Sequence, residues 1–418
     1  MSQTDVVDSS LLGAIYFRTH ASFATGGTLV RIYPVAGSVE WNLDQEQINV
    51  FGQRIRPNDT RAPVKGRKSG KAGFELMVQA NAVYLNVSAT PQTTDPLIEV
   101  LQVATGVAPS FAVGGTLNGS PTKNSWSLLA NGTSFPAGQL GMIQNSSAPG
   151  GYDVVRILTQ VTNALTSFPD TTSDTAPSSG NAMICMVTYY PSFTNTKSGE
   201  LVVCNAQDSN LQALLTGCRG EFQISFKQGD VVKLKVDLEA ATWTAMNAAG
   251  NSIAHVEDPL MEPFSVVDSV AHFAAITTAT RNSVTMDSVD AKLTWGTQFT
   301  ETLTAGTQGK RGVVLSKDLE KPAAMLEIVV PIDTAYDTGY VAGTVYGFLW
   351  STYMTDVNSK VRKCALDLPR LRQVAPPARV KGSDGLMKYK LTLQADRDQS
   401  CTGSTTALAT APWRFAVG

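Results

Sequence analysis

Histidine is almost missing from this chain: His20, His255 and His272 are the only three in 418 residues. None stands in an HxH, HExxH or HxxxH spacing, so no pair is placed to seat a metal on one helix or strand. Cysteine is scarce too. Cys185, Cys204, Cys218, Cys364 and Cys401 are odd in number and include no CxxC. That argues against a disulfide framework or a zinc site, and for a reducing compartment. Charge is thin, at 16% of residues, and nearly cancels at −2. No global field would draw such a protein onto nucleic acid or an anionic membrane. The longest apolar stretch, Gly339 to Trp350, is glycine-interrupted and falls well short of the roughly 18 residues of a membrane span. The opening MSQTDVVDSSLLGAIYF has no basic run before its apolar one, unlike a signal peptide. No GxSxG presents a nucleophilic serine. KGRKSGKAG (65–73) fails as a phosphate loop, because Gly66 and Gly70 are too close and Ala72 stands where Ser or Thr must hold magnesium. A non-enzymatic role without cofactor or metal is the expectation.

What is present is alternation. FELMV (74–78), VDAKLTW (289–295), MLEIVV (325–330), KCALDL (363–368) and MKYKLTL (387–393) read as short strands between turn residues. The expected fold class is all-β with minor helix. One helix is expected over 95–106: Asp95 caps it, Pro96 takes the first turn, Leu97, Leu101 and Ala104 share a face, and Gly106 ends it. Residues 107–182 are rich in Gly, Ser, Thr, Asn and Pro. They read as a loop-rich insertion with some order around YDVVRILTQVTNALTSF.

The order of landmarks repeats. SVEWNL (38–43), a basic loop (52–73) and FELMVQAN answer to AKLTWG (291–296), the loop 306–322 and MLEIVVPID. GEFQISFKQGDVVKLKVDLEAATW answers to the stretch from Asp384 onward, and Trp243 and Trp413 close the two. Two tandem units follow: an N-terminal arm 1–27, a first domain 28–255, a linker 256–280 and a second domain 281–418.

The most legible hairpin is 217–243. Phe222, Ile224, Phe226, Leu234, Val236 and Leu238 fall on one side; Glu221, Gln223, Ser225, Lys233, Lys235, Asp237 and Glu239 fall on the other. The second face is wet, charged and balanced. The basic cluster Arg54, Arg56, Arg61, Lys65, Arg67, Lys68 and Lys71 lacks the interleaved aromatics that favour single-stranded nucleic acid, so a protein contact is expected.

A strand leading into a long basic loop, a short helix, a small-residue entry into a Gly-Asp hairpin, and the late RGVV, MLEIVVPID and Asp384-Gly385-Leu386 strands together resemble the tail tube proteins of long-tailed bacteriophages. The resemblance spans most of residues 28–418 and is to the duplicated-domain, trimeric type. It implies two tandem β-sandwich or barrel domains that join their neighbours into a continuous inner β-barrel. It also implies a structural virion protein of the phage tail, assembled in the bacterial cytoplasm as stacked homotrimeric rings. Its partners would be other copies of itself, the tape-measure protein, tail terminator and distal tail or baseplate proteins. Duplex DNA would pass through without specific binding, and no membrane is involved. The lumen-lining candidates are then Glu75, Gln79 and the hairpin's Glu221, Gln223, Ser225, Lys233, Lys235, Asp237 and Glu239, with Lys388, Lys390, Thr392 and Gln394. The inter-ring candidates are the seven basic residues above with Lys310, Arg311 and Lys317. Four strands per domain would give about 24 in a trimer, a backbone diameter of about 48 Å and a lumen of about 37 Å. The alternatives are a baseplate or connector ring of the same fold, and a carbohydrate- or receptor-binding β-sandwich.

Overall fold

The structure is a computed structural model describing residues 12–20, 29–48, 64–79, 96–130, 135–168, 176–191, 197–205, 212–227, 229–246, 255–256, 263–266, 269–275, 291–296, 298–302, 312–316, 324–356, 359–382, 385–401 and 404–418. Among them are 26 strands and two α-helices, so the fold is all-β with minor helix.

Alternation builds the main sheet. β13 (Gln212–Phe226) and β14 (Lys233–Ala240) form the expected hairpin. Its turn closes with the Asp230 N–H on the Lys227 carbonyl at 3.0 Å, and Gly229 takes φ +81°. β4 (Val64–Met77) joins β14, and β3 (Glu40–Ile48) joins β4. On the other side follow β18 (Ala291–Gly296), β21 (Met325–Val330) and β25 (Met387–Ala395). The eighth place is shared by the end of β23 (Val361–Gln373) and by β24 (Ala378–Lys381). Both run antiparallel to β25, with a bulge between them: Gln373 faces Leu393, whereas Ala378 faces Lys390.

Two outer sheets cover the apolar face. The first runs β15 (Thr242–Met246), the N-terminal part of β13, β12 (Ser198–Asn205), β1 (Leu12–His20) and β2 (Leu29–Ile32), with β16 (His255–Val256) parallel to β2. The second runs β17 (Val270–Ala275), β22 (Val345–Thr355), β23 as far as Arg372, β26 (Arg414–Val417) and β11 (Val187–Tyr189). One order therefore occurs twice. Inside it is β3-β4-β14-β13 and then β18-β21-β25-β23/β24. Outside it is β1-β12-β13-β15 and then β17-β22-β23-β26. Each unit begins one strand earlier than its sequence suggested. Residues 12–20, read as part of an arm, carry buried Ile15 and Phe17 in the core. Residues 270–275, read as linker, are a strand on β22. The two units share a single core, where Phe226 meets Trp350 with ring centroids 4.0 Å apart and Phe222 meets Trp413 at 5.4 Å.

β13 changes layers within its length, and small residues permit this. Gly217 adopts φ +73° at the crossover. A Cβ on Gly220 would come within 1.8 Å of the Asp237 carbonyl oxygen, a backbone atom that cannot step aside. Gly220→Ala is therefore expected to lower stability by about 1–3 kcal/mol. A urea midpoint equal to that of the parent would contradict this account of the crossover.

α1 (Pro96–Thr105) lies where expected and ends at Gly106, whose N–H bonds the Gln102 carbonyl at 2.9 Å. It buries Leu97, Val100, Leu101 and Val103, a broader face than foreseen; the expected cap Asp95 lies outside the described residues. α2 (Thr334–Ala342) takes the corresponding place between β21 and β22. Asp333 caps it by accepting the Ala335 N–H, and Gly343 at φ +65° ends it.

The insertion is not a set of loops. β5 (Gly115–Asn118), β6 (Ser125–Leu128), β9 (Ala164–Phe168), β8 (Tyr152–Val161), β7 (Leu140–Gln144) and β10 (Ala182–Cys185) close a barrel. Its interior holds Leu117, Trp126, Leu128, Ile143, Val155, Ile157, Leu165 and Met183. Its outward Ser, Thr and Asn resemble loop because a small closed barrel needs few apolar residues per strand. Leu140, Met142, Val154, Ile184 and Met186 seat it on Leu349, Ala365 and Ala416. Those three belong to the second outer sheet, whose Trp350, Cys364 and Leu366 face the main core. The barrel thus lies on the opposite side of the body from the solvated face of the main sheet.

The basic loops 52–73 and 306–322 are also partly strand. Past Gly70, β4 pairs with β3 alone among the described residues, from Ser69 opposite Asp44 to Val64 opposite Ile48. β19 (Gln298–Thr302) and β20 (Gly312–Ser316) make a matching two-stranded arm between β18 and β21. A ladder outside the core needs no apolar alternation, so these strands left no periodic signal.

Candidate functional site

Register brings most of the predicted polar residues onto one continuous face. Glu221, Gln223 and Ser225 stand opposite Asp237, Lys235 and Lys233. Glu75 stands opposite Lys235 on the next strand. Thr392 faces Glu327, Gln394 faces Met325 and Lys390 faces Val329, on the same side by parity. The chain between is completed by Gln223 opposite Thr294 and Ser225 opposite Lys292. All of these whose side chains are described are at least partly exposed, while the alternate residues of the same strands are buried.

Two predicted members depart. Gln79 lies past the end of β4, in a bridge to Pro263 rather than in the ladder. Lys388 has the right parity but is buried, at 4% exposure. Alternation in a strand fixes the side of a residue, and the way neighbouring segments pack over the sheet margin fixes its exposure. The face also has members that the sequence reading missed. Glu40, Asn42 and Asp44 extend it along β3, Glu327 lies at its centre and Arg372 at the far margin. The alternation in SVEWNLD and MLEIVV carried that information, but only pairing shows that these strands continue the hairpin's wet side.

Charge on this face is compensated locally. Lys71 pairs with Glu239 at 3.3 Å, Lys235 with Asp237 at 3.3 Å and Lys390 with Glu327 at 3.0 Å. Exposed pairs of this kind contribute about 0–1 kcal/mol each to stability, so their consequence is chiefly electrostatic. They leave a hydrated surface whose acids and bases nearly balance, with one acidic rung made by Glu40, Asp237 and Glu221.

The inter-ring candidates separate. Lys71 belongs to the wet face and not to a projecting loop. Lys68 packs over the Trp243 ring, 4.6 Å from its centroid, and donates to the Trp243 carbonyl at 3.4 Å. Lys65 and Arg67 lie on the β4 part of the first arm. Arg54, Arg56, Arg61, Lys310, Arg311 and Lys317 lie outside the described residues.

A second concentration of charge is buried where the barrel meets the body. Arg156 on β8 donates from Nη1 to both Asp367 carboxylate oxygens at 2.8 and 2.9 Å. Arg414 reaches Asp367 at 3.1 Å and Asp398 at 2.8 Å, and Ser400 donates its hydroxyl to Asp398 at 2.6 Å. Burial alone would raise the Asp398 carboxyl; Arg156 and Arg414 outweigh it and hold the group below the usual carboxylate range. Those ionic bonds make the cluster a clamp, and Arg414 is tied in further by donating to the Leu408 and Ala409 carbonyls at 2.8 and 3.1 Å. Among the described residues no three His, Cys, Asp or Glu side chains form a metal-binding group, and no helix is long and apolar enough to cross a membrane. Compared with known protein families the chain matches none, and no curated protein matches it.

Proposed function

We propose that this chain is the main tail tube subunit of a long-tailed phage, closing as three copies into rings that stack into a hollow tube. The observation that carries the reading is the eight-stranded sheet, four strands from each unit, dry on one side and charge-balanced on the other. Three copies bring about 24 strands, which close at a diameter of about 48 Å, wide enough for a DNA duplex. The wet face would line the bore, and the barrel would then ride on the outside of the tube. A surface without clusters of Lys or Arg lets duplex slide, because each neutralised phosphate adds affinity by releasing counterions. The two arms, β3–β4 and β19–β20, extend from the same place in each unit and are suited to reach the next ring. The tape-measure protein during assembly, and terminator and baseplate proteins at the ends, are the partners this role entails.

Negative-stain microscopy of the concentrated chain tests the proposal. Stacked threefold rings with an open bore are the expected result. Single rings that never stack would favour a connector or baseplate ring of the same fold. Persistent monomers at every concentration, including in the presence of pre-formed tails, would overturn the ring reading.

A further inference from the structure

The chain carries one unit-to-unit junction within itself, and it specifies a second one between copies. Inside the chain, the last strand of unit one pairs with the first strand of unit two, antiparallel, with Phe222 opposite Trp295. The equivalent strands at the outer margins are β23/β24 and β3. Among the described residues, β3 has only β4 as a partner; the ladder between β22 and β23 ends at Val345 opposite Arg372, and past it the segment 373–381 has only β25. We infer that these two margins pair with each other in neighbouring copies of this chain, in one register that sets Gln373 of one copy opposite Trp41 of the next. The inference rests on the ring reading above and names its contact surface.

Rung-by-rung correspondence fixes that register. Phe74 opposite Val236 answers to Leu326 opposite Leu393, since Glu75 and Glu327 hold the next rung in each unit. Val236 faces Phe222, and Leu393 faces Gln373, so Gln373 holds the place of Phe222. Lys292 faces Glu327, and Ser38 bonds the Glu75 N–H at 3.1 Å, so Ser38 answers to Lys292. Three residues further along, Trp41 answers to Trp295.

Both margins show the marks of an absent partner. Trp41 lies on the dry side of the sheet, opposite buried Ala72, yet is 40% exposed. Gln373 is half-buried, and its Nε2 and Oε1 are both shut off from solvent without a hydrogen-bond partner. A buried amide left unpaired is costly, and an indole N–H opposite it supplies a donor. Arg372 faces Val345 on that edge and pairs with Asp396 at 2.8 Å, so the open margin begins at Gln373. Pro376 and Pro377, which lack ladder donors, fall past Glu40, where the facing strand has ended. The same prolines keep the margin from recruiting other strands.

The test is a thiol crosslink in the full chain carrying Trp41→Cys and Gln373→Cys, treated with a short bismaleimide. The expected result is linked species ending at a closed trimer, absent from either single variant. They should also be markedly weaker when Cys replaces Ala378 in place of Gln373. Equal linking at Ala378, or none at Gln373, overturns the register. Rings or tubes that form without the Trp41–Gln373 link would sink this seam and spare the tube reading; linked trimers that never stack would do the reverse.

Discussion

Asp367→Ala is expected to destabilise the protein by about 3–5 kcal/mol, the cost of removing one partner from a buried ionic cluster. Asp367 accepts from Arg156 and Arg414, and all three side chains are nearly inaccessible, at 0–3% exposure. Without it, two guanidiniums share Asp398 in a site that water does not reach. Urea unfolding should show the loss, and hydrogen exchange should show it first in β7 and β8, where the barrel is seated. A cost below about 1 kcal/mol would mean that the cluster relaxes or hydrates, and the clamp would have to be abandoned. Acid should reproduce part of the effect. The Asp398 carboxyl is held below its unfolded value, so its contribution is present above about pH 4 and fades as pH falls toward the folded value. The stability gap between the parent and Asp398→Asn should be full near neutrality and narrow steadily below about pH 4. A gap that widens with acid would give the wrong sign for this linkage.

How much of this could be read from the sequence depended on whether a segment touches the core on one side. The hairpin 217–243 does, and its dry residues are the six expected core positions. α1 was legible because a cap, a proline and a glycine bracket an apolar stripe. α2 had bracketing residues too, Asp333 and Gly343, but only Gly339 of its length is buried, so no stripe announced it. The barrel and the two arms were missed because little of them alternates against the main core. Five of the six barrel strands and both strands of the second arm have four or five residues, too short for period-two alternation to stand out, and the first arm carries its basic residues beyond the core. The first strand of each unit was missed as well. LGAIYFRTH and VAHFAA have apolar residues on consecutive positions, a pattern that reads equally as buried strand or as loop. The wet face was recognised as a property of one hairpin. That it runs through eight strands and both units follows only from pairing, because register between distant segments has no local signature. The seam had one sequence clue, the shared Trp41 and Trp295, and its other half, Gln373, resembles Phe222 in position but not in chemistry.

Changing Glu75, Glu221, Asp237 and Glu327 to Lys should turn a passive bore into one that grips DNA. These four carboxylates are at least partly exposed on the wet face, and surface substitutions of this kind usually alter stability by less than about 0.5 kcal/mol each. The variant should therefore fold and assemble. Each phosphate newly met by a lysine adds close to one unit to the slope of log affinity against log salt. A ring of such contacts, some 6–10 at once, would bind linear duplex strongly at 50 mM salt and lose about 10³–10⁵ of that affinity by 200 mM. The parent should bind weakly throughout. Charge alone would give a similar result anywhere on the surface, so the topology of the DNA is the deciding control. A lining inside a closed tube can be reached by a linear duplex threading from its end, whereas a closed circle has no end to thread. Retention of linear duplex with exclusion of circles would place the lysines in the bore. Equal retention of both would put this face on the outside of the assembly, and the proposed conduit would fall with it.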